Sequence, residues 1–300
     1  EQTSYTVVIV PPGLDRIFLH NPGANNTFCA ADINYELVSR AKIFHFGYPP
    51  LMKRIFENEG EELIKIFKRV KKLGVTTSLD MSLPDASSES GNVDWEKVLE
   101  KLLPFVDIFI PSVEETMFMI SRGDFDYLNE NANGQDILEN LDINALQGLG
   151  EKLMSYGTRI AVIKCGIKGY YIQTQSKDVL QGMGRAKPAD LDNWSGRELH
   201  EESFHVPDVV SATGSGDTSI AGFLASILNG KTIEESIRTA CAVGGQNVQA
   251  VDAISGIKTW DETLGMIPGW KKNSLSVNGS YWKYDGIKHV WVGQKDKTRK

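Results

Sequence analysis

From residue 41 onward the chain alternates between runs that read as strands and runs that read as helices. This alternation restricts the fold more than any other feature. AKIFHFG (41–47) is a buried strand, followed by a long amphipathic helix with Leu63, Ile66, Phe67, Val70 and Leu73 on one face and Gly74 at its end. VTTSLD (75–80), VDIFIP (106–111) and RIAVIKCG (159–166) are further strands, DWEKVLEKLLPF (94–105) is a helix, and GYYIQT (169–174) is a hairpin-like strand. Helices follow from near Asp217 and over 233–251. Strands connected through helices form a mainly parallel sheet with helices on both faces, so the predicted class is α/β. Ahead of this core, SYTVVIV (4–10) and RIFLH (16–20) flank PPGLD and read as a hairpin, and NPGANN (21–26) reads as the link back. Residues 1–26 are therefore taken as a β-rich hairpin and its return to the core, 27–270 as the core and 271–300 as a C-terminal tail. Within the core, 121–147 is polar and acidic and reads as a surface insertion. The stretch 174–203 is charged and aperiodic and reads as a second insertion or a lid.

Bulk properties narrow the partners. A net charge of −7 argues against nucleic acid, and the only basic cluster, KDKTRK at the C-terminus, reads as a solvated tail. Cys29, Cys165 and Cys241 lack metal-ligand spacing and suit a reducing compartment. No apolar run approaches the ~20 residues of a membrane span. A cytoplasmic location without membrane partners is expected.

In open α/β sheets the ligand lies outside the carboxyl ends of the strands. Asp80, Ser112 to Glu115, and Lys164 to Gly169 all stand just past strand ends. The stretch SATGSGDTSIAGFLASIL (211–228) should join them. Gly214-Ser215-Gly216 leaves backbone amides uncovered at the start of an apolar helix, and a helix start of that kind attracts anions. A fixed negative charge beside a bound anion is unfavourable, so Asp217 has two readings. It either caps the helix or takes a proton from a hydroxyl that attacks the anion.

These residues resemble the PfkB/ribokinase family of carbohydrate kinases. Ser211-Ala212-Thr213-Gly214-Ser215-Gly216-Asp217 and the helix after it resemble the family's second signature. Pro111-Ser112-Val113-Glu114-Glu115 looks like its Asn-x-x-Glu motif, and Val162 to Gly169 like the strand and Gly-x-x-Gly turn beside the nucleotide. Arg16 to His20 with Pro22-Gly23-Ala24-Asn25 looks like the end of the lid and its return to the core. The resemblance covers roughly residues 5–265. It implies a ribokinase-like three-layer α/β/α sandwich with a small β lid, and transfer of the γ-phosphoryl of ATP to a sugar hydroxyl. Asp217 would be the general base, and the amides of Gly214, Ser215 and Gly216 the anion hole. Mg²⁺ would ride on the phosphates, with Glu115 reaching it through water. ATP would meet Lys164, Gly166, Lys168, Gly169 and Asn247, with adenine near the 166–169 turn and the loop after residue 247. The small-molecule sugar would meet Asn25 and Asp80, and a homodimer would form through the lid.

The chain departs from the family pattern in four places. The family's N-terminal portion, with its Gly-Gly-Asn-type signature and a sugar-gripping aspartate, has no counterpart, and position 1 is Glu. The expectation is a missing leading segment. Ser211 replaces an aspartate that commonly helps to hold a monovalent cation, Ser112 replaces the motif's asparagine, and the two insertions are long. Asp80 and Asp85 stand where the family has Asp-x-Asn-x-Arg, and only Asp80 matches. A second reading from these departures is a non-catalytic relative that binds sugar or nucleotide. A dinucleotide-dependent oxidoreductase is a third, opposed by the lack of the last glycine of G-x-G-x-x-G in GSGDTS. His45 and His20 read as packed strand residues.

Overall fold

The computed structural model describes residues 1–9, 17–132, 137–277 and 279–299. Two sheets are present. A small antiparallel ribbon pairs β1 (Tyr5–Ile9) with β2 (Ile17–Asn21), Tyr5 opposite Asn21 and Ile9 opposite Ile17. The expected PPGLD turn, and Arg16 after it, lie outside the described residues. The main sheet has β3 (Ile43–Phe46), β4 (Thr76–Leu79), β5 (Ile108–Phe109), β6 (Ile160–Lys164), β7 (Tyr170–Thr174), β8 (Glu198–Glu201), β9 (Lys283–Asp285) and β10 (Val290–Val292) in the order 3-4-5-6-7-8-10-9. The four strands β3 to β6 pair in parallel and the remainder pair antiparallel, so six of the eight run in one direction.

Alternating side chains along the strands build one core on each face. Phe109, Ala161, Ile163 and Tyr171 pack with the helices Lys53–Lys72, Trp95–Leu102, Val113–Ile120 and Ala145–Ser155. Ile108, Ile160, Val162, Ile172 and Leu199 pack on the other side with Ser215–Leu228 and Ile233–Asn247. A period of two along each strand thus yields the three-layer α/β/α sandwich.

Five sequence expectations need correction here. The 41–47 strand is half-buried, and among the described residues β3 has a strand neighbour on one side only. The long helix is broken at Glu57–Gly60, where Asn58, Glu59 and Gly60 take left-handed φ. A Cβ at Gly60 would lie 2.8 Å from Val98, so the close approach of the next helix needs the glycine. Residues 121–147 are not only surface. Phe125, Ala132, Leu138, Leu141, Ile143 and Leu146 are buried in the first core. Nor is 174–203 an insertion or lid, because it contributes Trp194 to the second core and β8 to the sheet.

The fifth correction concerns the C-terminal segment, which completes the sheet as β9 and β10, and its basic end, which is stapled to the body. Asp296 is buried against Arg197 at 2.9 Å, and Arg197 also reaches Glu234 at 3.0 Å. Glu198 accepts from Tyr281 Oη at 2.6 Å and from the Lys295 amide at 2.9 Å, and Glu201 pairs with Arg238 and Lys272. Charges in a strand look aperiodic in sequence. They become core residues only when distant partners satisfy them, 37 positions away for Glu201 with Arg238 and 99 for Arg197 with Asp296.

His200 on β8 is fully buried, donates through Nε2 to Lys168 O at 2.7 Å and packs on Trp282. Burial pushes its pKa down to about 4. A histidine kept neutral in the fold stabilises it above the ordinary histidine pKa, and that stability drains away as pH falls toward the folded value. We expect about 2 kcal/mol to be lost through this residue between pH 7 and pH 5. Urea midpoints at the two pH values should differ less in His200→Gln than in the wild type. Equal differences in the two proteins would show that His200 does not carry the effect.

Candidate active site

The parallel strands end together, and their ends assemble the site. β4 delivers Asp80, which is buried, and β6 delivers Lys164, also buried. Lys164 Nζ meets Asp80 Oδ1 at 2.5 Å and Ile110 O at 2.7 Å. The β5–β6 pairing continues beyond both strands, with Lys164 N donating to Pro111 O and Ser112 bridged to Lys164. This register sets Lys164 beside the start of helix Val113–Ile120. There Ser112 Oγ accepts from Glu115 N at 3.2 Å, and Glu115 Oε2 accepts from Ser112 N at 2.6 Å. The pair is a capping box, so Glu115 does cap its helix. Burial pushes its carboxyl up to about 8, against the pull of Lys164. Burial likewise raises Asp80 above the usual carboxylate range, with Lys164 opposing it. Lys164 is held above its ordinary value because Asp80, Glu115 and Asp217 outweigh its burial.

The turn before helix Ser215–Leu228 closes this cluster. Gly214 is the N-cap with φ 77, and a Cβ there would lie 2.6 Å from Ala253, so conformation and space both require glycine. Ser215 N donates to Ala212 O at 3.2 Å and Thr218 N to Gly214 O. Among the described residues, the amides of Gly214, Gly216 and Asp217 have no protein acceptor. Of the expected donors, Ser215 N is therefore engaged within the turn, while Gly214 N and Gly216 N are left uncommitted together with Asp217 N. Gly216 has ordinary φ, and a Cβ there would point toward Lys164 Cε at 3.8 Å. Its bareness keeps open the gap between the turn and the lysine.

Other expected ligand contacts are placed differently. Asn247 is fully buried and donates to Thr213 O at 2.8 Å, so it holds the loop leading into the turn. Ser211 is used locally, donating to Thr213 Oγ1 and accepting from Thr213 N. Gly166 lies beneath Leu138, whose Cδ1 is 2.7 Å from where a Cβ would be. Lys168 Nζ donates to Leu141 O at 2.6 Å. The 137–141 segment thus braces one side of the Gly166–Gly169 turn, while Gly166 and Ile167 stay exposed. Asp80 is committed to Lys164, not open to a sugar. Asn25 sits in the single turn Gly23–Asn26, with its amide on Pro22 O, outside the hydrogen-bonded cluster among the described residues.

One site residue was missed and a second, His45, was read differently. Tyr48 Oη donates to Asp217 Oδ1 at 2.7 Å, across 169 positions of sequence. His45, read from the sequence as packed, lies at the same edge bonded to Ser78 Oγ, and partial desolvation and Lys164 pull its pKa down. Gly47-Tyr48-Pro49-Pro50 follows a strand end just as Asp80 and Ser112 do, and applying the strand-end rule there would have found it.

The family model described as pfkB family carbohydrate kinase matches residues 1–260. An uncharacterized sugar kinase of Archaeoglobus fulgidus is 25% identical over 243 residues, 81% of this chain and 75% of that protein. Mouse ketohexokinase is 25% identical over 58% of this chain and 62% of its own length, and probable fructokinase-6 of Arabidopsis thaliana 26% over 81% and 54%. This chain therefore spans well short of the full length of these relatives. Among solved structures, Arabidopsis thaliana ribokinase complexed with ribose and ATP superposes with TM-score 0.58 at 20% identity, over 88% of this chain and 69% of that one. Fructokinase with bound ATP from Xylella fastidiosa gives 0.60 at 18%, over 89% and 74%. Among the described residues no helix is long and apolar enough to cross a membrane. With three ordered motifs meeting at the ends of one sheet and a family match over most of its length, the chain belongs to the pfkB family of carbohydrate kinases.

Proposed function

We propose that the protein moves the γ-phosphoryl of ATP onto a hydroxyl of a sugar or sugar-like substrate. The observation that carries this reading is the arrangement at 214–217, where uncommitted amides flank a carboxylate that already receives a hydroxyl donor. Asp217 would accept the proton of the attacking hydroxyl, and the amides would stabilise charge on the transferred group. Lys164, gathered with three carboxylates, would face the phosphates across the gap that Gly216 leaves. Adenine would be accommodated in the groove of His205, Val206, Pro207, Gln249, Met266 and Trp270, beside the loop after residue 247.

No cluster of three or more metal-ligating side chains occurs among the described residues. That donor set fits Mg²⁺ carried mainly by phosphates and water, with Glu115 as its outer partner. A solved structure of a putative ribokinase II from E. coli contains ATP and Mg²⁺, which supports the same pairing here. The metal would supply charge neutralisation on the phosphates.

The test is ADP release with Mg-ATP against fructose, ribose, sugar phosphates, ketodeoxygluconate and nucleosides. The named relatives put fructose first. Turnover with one acceptor, lost in Asp217→Asn, is the expected result. ATP binding with no turnover on any acceptor would favour the non-catalytic relative.

A second copy of the chain is the proposed partner. On the ribbon, Tyr5, Val7, Val8, Ile9, Ile17, Phe18 and Leu19 are all exposed, an apolar sheet with little to cover it. Sedimentation should give a dimer that Val8→Glu together with Leu19→Glu converts to monomer. A wild-type monomer at micromolar concentration would remove this proposal.

A further inference from the structure

Tyr48 is unusual in three ways at once. It takes a left-handed conformation, φ 62 and ψ 44, which a bulky side chain rarely adopts. Its successor is proline, which disfavours the helical regions for the residue before it. Pro49 and Pro50 are buried, and Leu51 N closes the turn on Tyr48 O at 3.0 Å. Strain of this sort persists only where the surroundings impose it, and it gathers at functional sites. Here the imposed geometry delivers one hydroxyl to one carboxylate oxygen, Asp217 Oδ1. No other hydrogen bond of the Tyr48 side chain is present among the described residues. The bond is therefore what the strained turn achieves.

A hydroxyl donating to the base at 2.7 Å is what an acceptor must also do before it attacks. We propose that Tyr48 is a placeholder: its hydroxyl occupies Asp217 in the acceptor-free protein and yields that position to the acceptor hydroxyl. The inference rests on Asp217 being the base. Its consequence is chemical selectivity between alcohol and water. With ATP bound and no acceptor, a bare Asp217 could deprotonate a water that attacks the γ-phosphorus. The P–O bond to ADP would break, giving ADP and inorganic phosphate, with the proton passing first to Asp217. A phenol already on the carboxylate keeps that water away. The phenol itself is a poor nucleophile while protonated, and both burial and the Asp217 charge raise its pKa. Tyr48 stands beside the route to the base on a rigid two-proline turn, so it leaves by side-chain rotation and not by loop movement.

The test measures ATP hydrolysis without any acceptor in wild type, Tyr48→Phe, Asp217→Asn and the double variant. Phenylalanine keeps the ring and removes only the hydroxyl, and ATP affinity with the thermal midpoint confirms that each variant is folded. Hydrolysis should rise roughly tenfold in Tyr48→Phe, and the rise should vanish in the double variant. With fructose, ribose or another acceptor from the panel, KM should fall while kcat holds, since no phenol has to be displaced. No rise in hydrolysis, or a rise that survives Asp217→Asn, overturns the proposal. A fall in kcat at unchanged KM also overturns it, by making Tyr48 an aid to Asp217 in the transition state. Failure of the base reading looks different: Asp217→Asn would then transfer phosphoryl as fast as wild type.

Discussion

Asp217→Asn should lower phosphoryl transfer by at least about 10²-fold while ATP affinity stays nearly unchanged. The amide keeps the shape of the carboxylate and can still accept from Tyr48 Oη, so the turn has no reason to rearrange. It cannot take up a proton at neutral pH. Removing a negative charge beside the anion site would, if anything, tighten nucleotide binding. A loss confined to kcat thus separates base chemistry from support of the turn. Equal losses in ATP affinity and rate would make Asp217 a structural residue, because a cap is needed in every state of the enzyme. Binding isotherms and initial rates on one preparation decide between the two.

The second large effect concerns Lys164. Lys164→Met should destabilise the fold by about 3–5 kcal/mol at pH 8, because it leaves Asp80 buried with its charge unpaired. The deficit should shrink as pH falls, and the sign follows from linkage. Asp80 and Glu115 are acids raised above their unfolded values even with the lysine present, and without it they rise further. The folded state then holds protons that the unfolded state releases, so stability falls as pH rises from about 4 through the raised values. Asp80→Asn together with Lys164→Met should recover most of the loss, since no buried charge remains. Urea unfolding at pH 5 and pH 8 reads all three proteins. A deficit that is the same at both pH values would mean that packing, not the ion pair, sets the cost.

The two residues differ in how visible they were. Asp217 sits in a contiguous stretch whose glycines, aspartate and following apolar helix can be read in one glance. Lys164 was visible as a strand-end lysine, but its partners were not. Asp80 lies 84 residues away, and only the β4–β5–β6 register brings them together. The capping box of Ser112 and Glu115 is likewise local and legible, whereas the electrostatic pressure on Glu115 from Lys164 and Asp80 is not. Contacts that could not be foreseen were those made by a second segment: Leu138 beside Gly166, Leu141 on Lys168, and the Thr213 loop on Asn247. A polar segment such as 121–147 gives no sign in sequence that it feeds the core, because its buried residues are scattered among charges.

By itself the sequence determined the alternation of strands and helices, the N-terminal ribbon, the glycine turn before the 215–228 helix and the candidate base. Each of these depends on residues within about one helical turn or one strand of each other, where side-chain period and backbone sterics act directly. The tertiary structure alone decided that β8 could bury Glu198 and Glu201, that the C-terminal segment would finish the sheet, and that Tyr48 would reach Asp217. Burying a charge or aiming a hydroxyl is favourable only when a specific partner is in place. In a folded chain that partner comes from wherever the topology brings it.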